Sequence, residues 1–153
     1  MHDFFEKDNK DNTHTPMQKN KVMLAALVGM MLATGACRRE TKDEQVRRVF
    51  MEYTQKECPK FVDPYTRLDS AQYSIAEKTL SYHYTVTDSL DNELLFTDEL
   101  IDEFQGNVLK ELKSSIAMRN YKEMGITFHY DYHSQSSGKM LLELDFTPDD
   151  YRK

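Results

Sequence analysis

Two strictly alternating stretches leave this chain few ways to fold. Between Thr79 and Thr87, Leu80, Tyr82, Tyr84 and Val86 alternate with Ser81, His83, Thr85 and Thr87. Further on, Phe128, Tyr130 and Tyr132 alternate with His129, Asp131 and His133. Successive side chains of a strand point to opposite faces of its sheet, so each stretch has one aromatic and one polar face. The aromatic face has to be covered by another part of the chain, whereas the polar face can stay in water. The pattern asks for a sheet clad on one side.

The covering elements read as helices. Thr41-Lys42-Asp43-Glu44 fits a capping box, and Val46, Val49, Phe50 and Tyr53 then recur at helical spacing to about Glu57. Pro59 ends that helix, since it has no amide hydrogen and restricts the residue before it. Thr97 caps a second helix, with Asp98 and Glu99 in its first turn and Leu100, Ile101, Phe104, Val108 and Leu112 on its apolar face. A shorter helical piece is predicted over Ile116–Met124, stopped by Gly125. Strands are predicted over Arg67–Ile75 and Thr79–Thr87, bent at Ala76-Glu77-Lys78. Ile126–Ser134 and Lys139–Phe146 read as a hairpin around Gln135-Ser136-Ser137-Gly138. Phe61–Pro64 is an extended or turn segment, Asp88–Asn92 a polar loop and Thr147–Tyr151 a terminal turn. The order α-β-β-α-β-β, with hairpins, implies an α+β two-layer domain over residues 43–153: an antiparallel four-stranded sheet with helices on one face.

Upstream lies a segment of different character. Lys19-Asn20-Lys21 precedes a run of apolar or small residues from Val22 to Ala33, and Thr34-Gly35-Ala36 leads to Cys37. A charged start, a short apolar run and a small-residue cleavage site make a secretory signal, too short to span a bilayer core that needs roughly 20 apolar residues. Thr34-Gly35-Ala36-Cys37 resembles the lipobox of bacterial lipoprotein precursors, which usually carry Leu, Val or Ile where Thr34 stands. The resemblance implies removal of residues 1–36 as a signal peptide, diacylglycerol on the Cys37 thiol and acylation of the freed amine by a palmitate-like chain. Such a protein is anchored by lipid in the bacterial cell envelope, on the periplasmic or surface side of the outer membrane. Several acyl chains, at ~0.8 kcal/mol per buried methylene, make that attachment stable. Residues 37–42 then serve as a tether. Met1–Pro16 is polar and without period, and Met17-Gln18-Lys19-Asn20-Lys21 would open an ordinary signal, so Met17 is the expected start of translation.

The chain carries a net charge of −6. That sign argues against nucleic acid as a partner, because its binders cluster basic residues. Arg38, Arg39, Arg47 and Arg48 form the basic cluster, beside the anchor, where contact with lipid headgroups explains them. The cysteines are Cys37 and Cys58, so lipidation of the first leaves the second without a disulfide partner. Cys58 is expected as a buried small hydrophobe.

A second resemblance runs through the domain. Cys58-Pro59, Val62-Asp63, Thr66-Arg67-Leu68-Asp69-Ser70, Leu80-Ser81-Tyr82-His83-Tyr84 and Gly125 to Tyr132, in that order, are similar to a family of small exported bacterial proteins of uncharacterised function. It covers roughly Glu52 to Tyr151. Relatives often place one cysteine after the second helix and another near the C-terminus, where this chain has Ala117-Met118 and Tyr151. The resemblance implies one compact exported domain, here without that staple, and supplies no activity.

Candidate chemistry concentrates on the polar strand faces. His129, Asp131 and His133 share a face and His83 lies on the polar face of another strand, so metal ligation by imidazole and carboxylate is a candidate role. Residues i and i+4 on a strand are ~13 Å apart, so His129 and His133 cannot both reach one ion and only neighbouring pairs could chelate. A solvated sheet face opposite an aromatic stripe is the plainer meaning of the same alternation. There is no Gly-x-Ser-x-Gly elbow, Gly-rich phosphate loop or His-Glu-x-x-His, and no catalytic residue is assigned. Tyr82, Tyr84, Tyr130 and Tyr132 read as core, or as a binding face where the helices leave them uncovered, since tyrosine is enriched at interfaces. The expectation is a non-enzymatic envelope lipoprotein without a cofactor, binding another envelope protein. A small metal- or thiol-dependent envelope enzyme is the alternative, and an inhibitor or immunity-type protein a third.

Overall fold

The computed structural model describes residues 39–152, and Cys37, with the segment read from the sequence as a signal, lies outside them. Their order is α1 (Lys42–Glu57), β1 (Lys60–Phe61), β2 (Thr66–Ser74), β3 (Thr79–Val86), α2 (Asp98–Ser114), α3 (Arg119–Glu123), β4 (Thr127–Ser134), β5 (Met140–Phe146) and α4 (Pro148–Tyr151). Two short 3₁₀ turns, Asp88–Leu90 and Glu93–Leu95, lie between β3 and α2. The local signals are met by local structure. Thr41 and Glu44 close the capping box, with Glu44 N donating to Thr41 Oγ1 at 3.2 Å and Thr41 N donating to Glu44 Oε2 at 2.8 Å. Gly125 follows α3 at φ +72°, a conformation that side chains resist. Cys58–Pro59 is a cis peptide.

The sheet departs from expectation in two ways. It has five strands rather than four, in the order β1-β2-β3-β4-β5, because Lys60–Phe61 adds a short edge strand on β2. It is also mixed rather than antiparallel: β3 and β4 run parallel, from Thr79↔Thr127 to Val86↔Ser134. The two strands are joined through α2, and a parallel pair needs such a long crossover to return the chain to the same end of the sheet. The remaining pairs are antiparallel. β2 carries an irregularity at Asp69, between Leu68 and Ser70, which no alternation pattern announced. The extra residue lets Leu68 on one side of it and Ala71 and Tyr73 on the other all reach the core.

That core lies on one face of the sheet. Val46 and Phe50 from α1, Leu112 from α2 and Tyr151 from α4 pack with Leu80, Phe128, Leu144 and Phe146 from the strands. The parallel register sets Tyr82 beside Tyr130 and Tyr84 beside Tyr132. Their rings stack with centroids 5.2 Å and 4.8 Å apart. Phe50 meets Tyr82 edge-on and Phe104 meets Tyr132 edge-on. Tyr151 packs on Phe128 and donates to Ile126 O at 2.8 Å. Ser81, His83, Thr85, His129 and His133 lie on the opposite face and are only partly buried. Among the described residues, no helix is long and apolar enough to cross a membrane.

Candidate functional site

Helix α2 does not cover its share of the sheet evenly. Its apolar face was expected to run from Leu100 to Leu112, yet Leu112 is its one buried residue, while Leu100 and Phe104 remain exposed. The helix is thus buried most deeply at its C-terminal end, while Ile101 and Val108 pack on the core in part. Under its N-terminal half, between the 3₁₀ turns and the ends of β2 and β3, lies a cavity of ≈ 270 Å³. Leu90, Leu95, Leu100, Phe104, Tyr132 and Leu142 are among its walls. Leu94 stands beside it in sequence and is 85% exposed. Exposed apolar groups gathered in this way mark an interaction site more often than scattered ones do.

The rim of this groove is held in place by polar contacts. Thr97 Oγ1 accepts from Leu100 N at the start of α2, and Asn92 Oδ1 accepts from Leu94 N. Asp91 Oδ2 accepts from Ser136 N at 2.8 Å, and Lys139 pairs with Glu93 at 3.0 Å, so the loop is tied to the β4–β5 turn. Hydrogen bonds from Ser134 and Ser136 hold the Asp91 carboxyl below the usual carboxylate range.

The opposite face of the sheet is polar and built around Asp131. This residue is 4% exposed although it lies on the uncovered side. His83, its partner on β3, brings Nδ1 to 2.5 Å from Asp131 Oδ2, with the imidazole donating and the carboxylate accepting. His129 and His133 flank it on β4, with Nε2 of His129 3.4 Å from Oδ2 and Nδ1 of His133 3.3 Å from Oδ1. Oδ1 is buried and accepts no hydrogen bond. His129 Nδ1 in turn donates to Asp145 Oδ1 at 2.8 Å, and its Nε2 is 3.9 Å from Glu143 Oε1. Burial opposes charge on His129, but the hydrogen bond to Asp145 and the charges of Asp145, Asp131 and Glu143 outweigh it, so its pKa lies above the ordinary imidazole value. Next along the face, Asp69 accepts from Arg67 at 2.6 Å and from Thr85 at 2.5 Å.

The residues singled out in the sequence therefore fall in different places. His83, His129, Asp131 and His133 converge on one carboxylate, not on one another. Tyr82 is buried, and Tyr84, Tyr130 and Tyr132 are partly buried, with Tyr132 reaching the groove. Burial pushes the Cys58 thiol up, which disfavours the reactive thiolate. Glu143 and Asp145 were missed. The alternation of β5 puts them on the polar face, but only the β4–β5 register, with His129↔Asp145 and Asp131↔Glu143, brings them to the histidines. The groove was missed as well, although the run Leu94-Leu95-Phe96 just before a helix cap was its signal.

Residues 41–142 match a family described as a domain of unknown function (DUF8479), and the chain belongs to that family. No curated protein matches the sequence. Two solved structures share the fold. One is a Pseudomonas aeruginosa protein described as secreted (PA3611), with a TM-score of 0.57 and 12% identity over 72% of this chain and 96% of that one. The other is EpsS, the pilotin of the Vibrio vulnificus type 2 secretion system, with a TM-score of 0.52 and 10% identity over the same shares of the two chains.

Proposed function

We propose that this protein is a non-enzymatic lipoprotein of the bacterial envelope, anchored through Cys37, whose domain holds an apolar segment of another envelope protein in the groove beneath α2. The groove carries the reading. Its walls are aliphatic and aromatic, Leu95, Leu100 and Phe104 stay partly exposed at it, and its rim is fixed by hydrogen bonds. Burying apolar surface contributes roughly 25 cal/mol per Å², so an apolar peptide segment gains by entering. The likeness in fold to a secreted protein and to a pilotin fits an exported binding module.

The test is a photo-crosslinking residue placed in the cell at Leu95 or at Phe104, with Gln72 on the other face as the control. One envelope protein is expected to crosslink from both groove positions, through an apolar stretch, and none from Gln72. Leu95→Asp should abolish the crosslink made from position 104. Equal crosslinking from Gln72, or none from the groove, overturns the reading. Mass spectrometry of the native product checks the anchor: an unmodified Cys37 side chain refutes it.

A further inference from the structure

The geometry points to a binding site for one divalent transition-metal ion, of the zinc class, on the open face of the sheet, held by His129, Glu143 and Asp145 above the buried carboxylate of Asp131. One ligand atom from each of the first three lies within 4.8 Å of the others. A tetrahedral zinc with bonds of about 2.0–2.2 Å needs its ligands about 3.3–3.6 Å apart. The adjustment required is small: His129 Nδ1 and Asp145 Oδ1, 2.8 Å apart, have to open slightly, and Glu143 has to close in. Glu143 and Asp145 can supply it, because their side chains are 52% and 57% exposed, while His129, at 20%, is the fixed member.

Three further observations favour a cation here. Asp131, Glu143 and Asp145 place three carboxylates around one imidazole, and among the described residues their ion-pair partners are histidines alone. The Arg67 guanidinium on the same face is taken by Asp69. When the imidazoles are neutral, the cluster is therefore strongly negative, and a divalent ion offsets that charge at short range. Second, the Asp131 carboxyl is only 6% exposed, a costly place for a charge, and its Oδ2 lies 3.4 Å from the His129 ring that a cation would share. Third, the shell behind the ligands is already present. His83 orients Asp131, and Asp131 reaches to 3.4 Å from His129 Nε2, as outer partners of metal sites do.

The donor set narrows the ion. Imidazole with carboxylates suits zinc and its first-row neighbours, whereas calcium takes six to eight oxygens and magnesium keeps most of its water. Three protein ligands leave a position open to water. The site lies across the sheet from the groove, so its fate and that of the docking reading are separable.

The experiment is calorimetric titration of the full chain in detergent with zinc chloride, and with magnesium and calcium chlorides for comparison. One zinc per chain is expected, with magnesium and calcium failing to compete. Glu143→Gln and Asp145→Asn, both at exposed positions, should each weaken zinc about tenfold or more. His129→Gln should remove binding. Histidine-ring NMR should show the largest zinc-induced nitrogen shift at His129. Zinc affinity indifferent to Glu143→Gln and Asp145→Asn, or a zinc shift absent from His129, overturns the assignment.

Discussion

Thr54, near the end of α1, does the work of a missing strand. β1 covers the outer edge of β2 only at Arg67 and Leu68, so the edge further along has no strand beside it. There the Thr54 hydroxyl donates to Ala71 O at 2.7 Å and accepts from Ala71 N at 2.8 Å. Ala71 is 0% exposed, so water cannot replace that hydroxyl without entering the core edge. Thr54→Val keeps the shape and strands both backbone groups. Each buried unsatisfied group costs about 1–3 kcal/mol, and with partial relaxation the pair should cost about 2–4 kcal/mol. For a domain of this size that lowers Tm by roughly 8–16 °C, at about 4 °C per kcal/mol. Thr54→Ser keeps the hydroxyl and should cost about 1 kcal/mol for its lost methyl. Urea unfolding with an unchanged m-value is the assay. If Thr54→Val is as stable as Thr54→Ser, the hydroxyl is not bridging the edge and the account of how α1 docks fails.

Two other outcomes follow from the same kind of bookkeeping. Lys122 Nζ donates to Leu112 O, Lys113 O and Ser115 O at 2.7, 2.8 and 3.1 Å, a charged cap on the C-terminus of α2. Lys122→Met should cost about 1–3 kcal/mol in urea unfolding and speed hydrogen exchange in the last turn of α2. Burial raises the pKa of Tyr82, Tyr84 and Tyr132, and pushes Tyr130 up to about 12. The unfolded chain ionises these phenols near pH 10, so their contribution is whole below that pH and is lost as pH rises above it toward the folded values. The urea midpoint should fall above about pH 10, and tyrosinate absorbance should grow in step with unfolding. Free titration of all the tyrosines in the folded protein would contradict the stacked core.

Much of this architecture is local chemistry, readable residue by residue. Thr41 and Thr97 start helices because their hydroxyls take up orphan amides, and Gly125 ends one because it tolerates φ +72°. The two faces of β3 and β4 follow from a period of two, which needs no knowledge of the neighbours. What lay beyond reach is every feature set by which strands meet. The Asp69 irregularity, the parallel pairing of β3 with β4 and the edge strand at Lys60–Phe61 depend on contacts far apart in sequence.

The same division holds for function. The order of residues alone put His83, His129, Asp131 and His133 on polar faces, since alternation assigns each side chain its side. Only the folded sheet, by sliding β3 against β4 in parallel and β5 against β4 in register, made Asp131 the centre of the group and brought Glu143 and Asp145 to it. The composition of α2 likewise announced an apolar stripe from Leu100 to Leu112. How far that stripe reaches the sheet was settled by packing, because a helix docks as a rigid rod and burying it at Leu112 leaves Leu100 and Phe104 partly exposed.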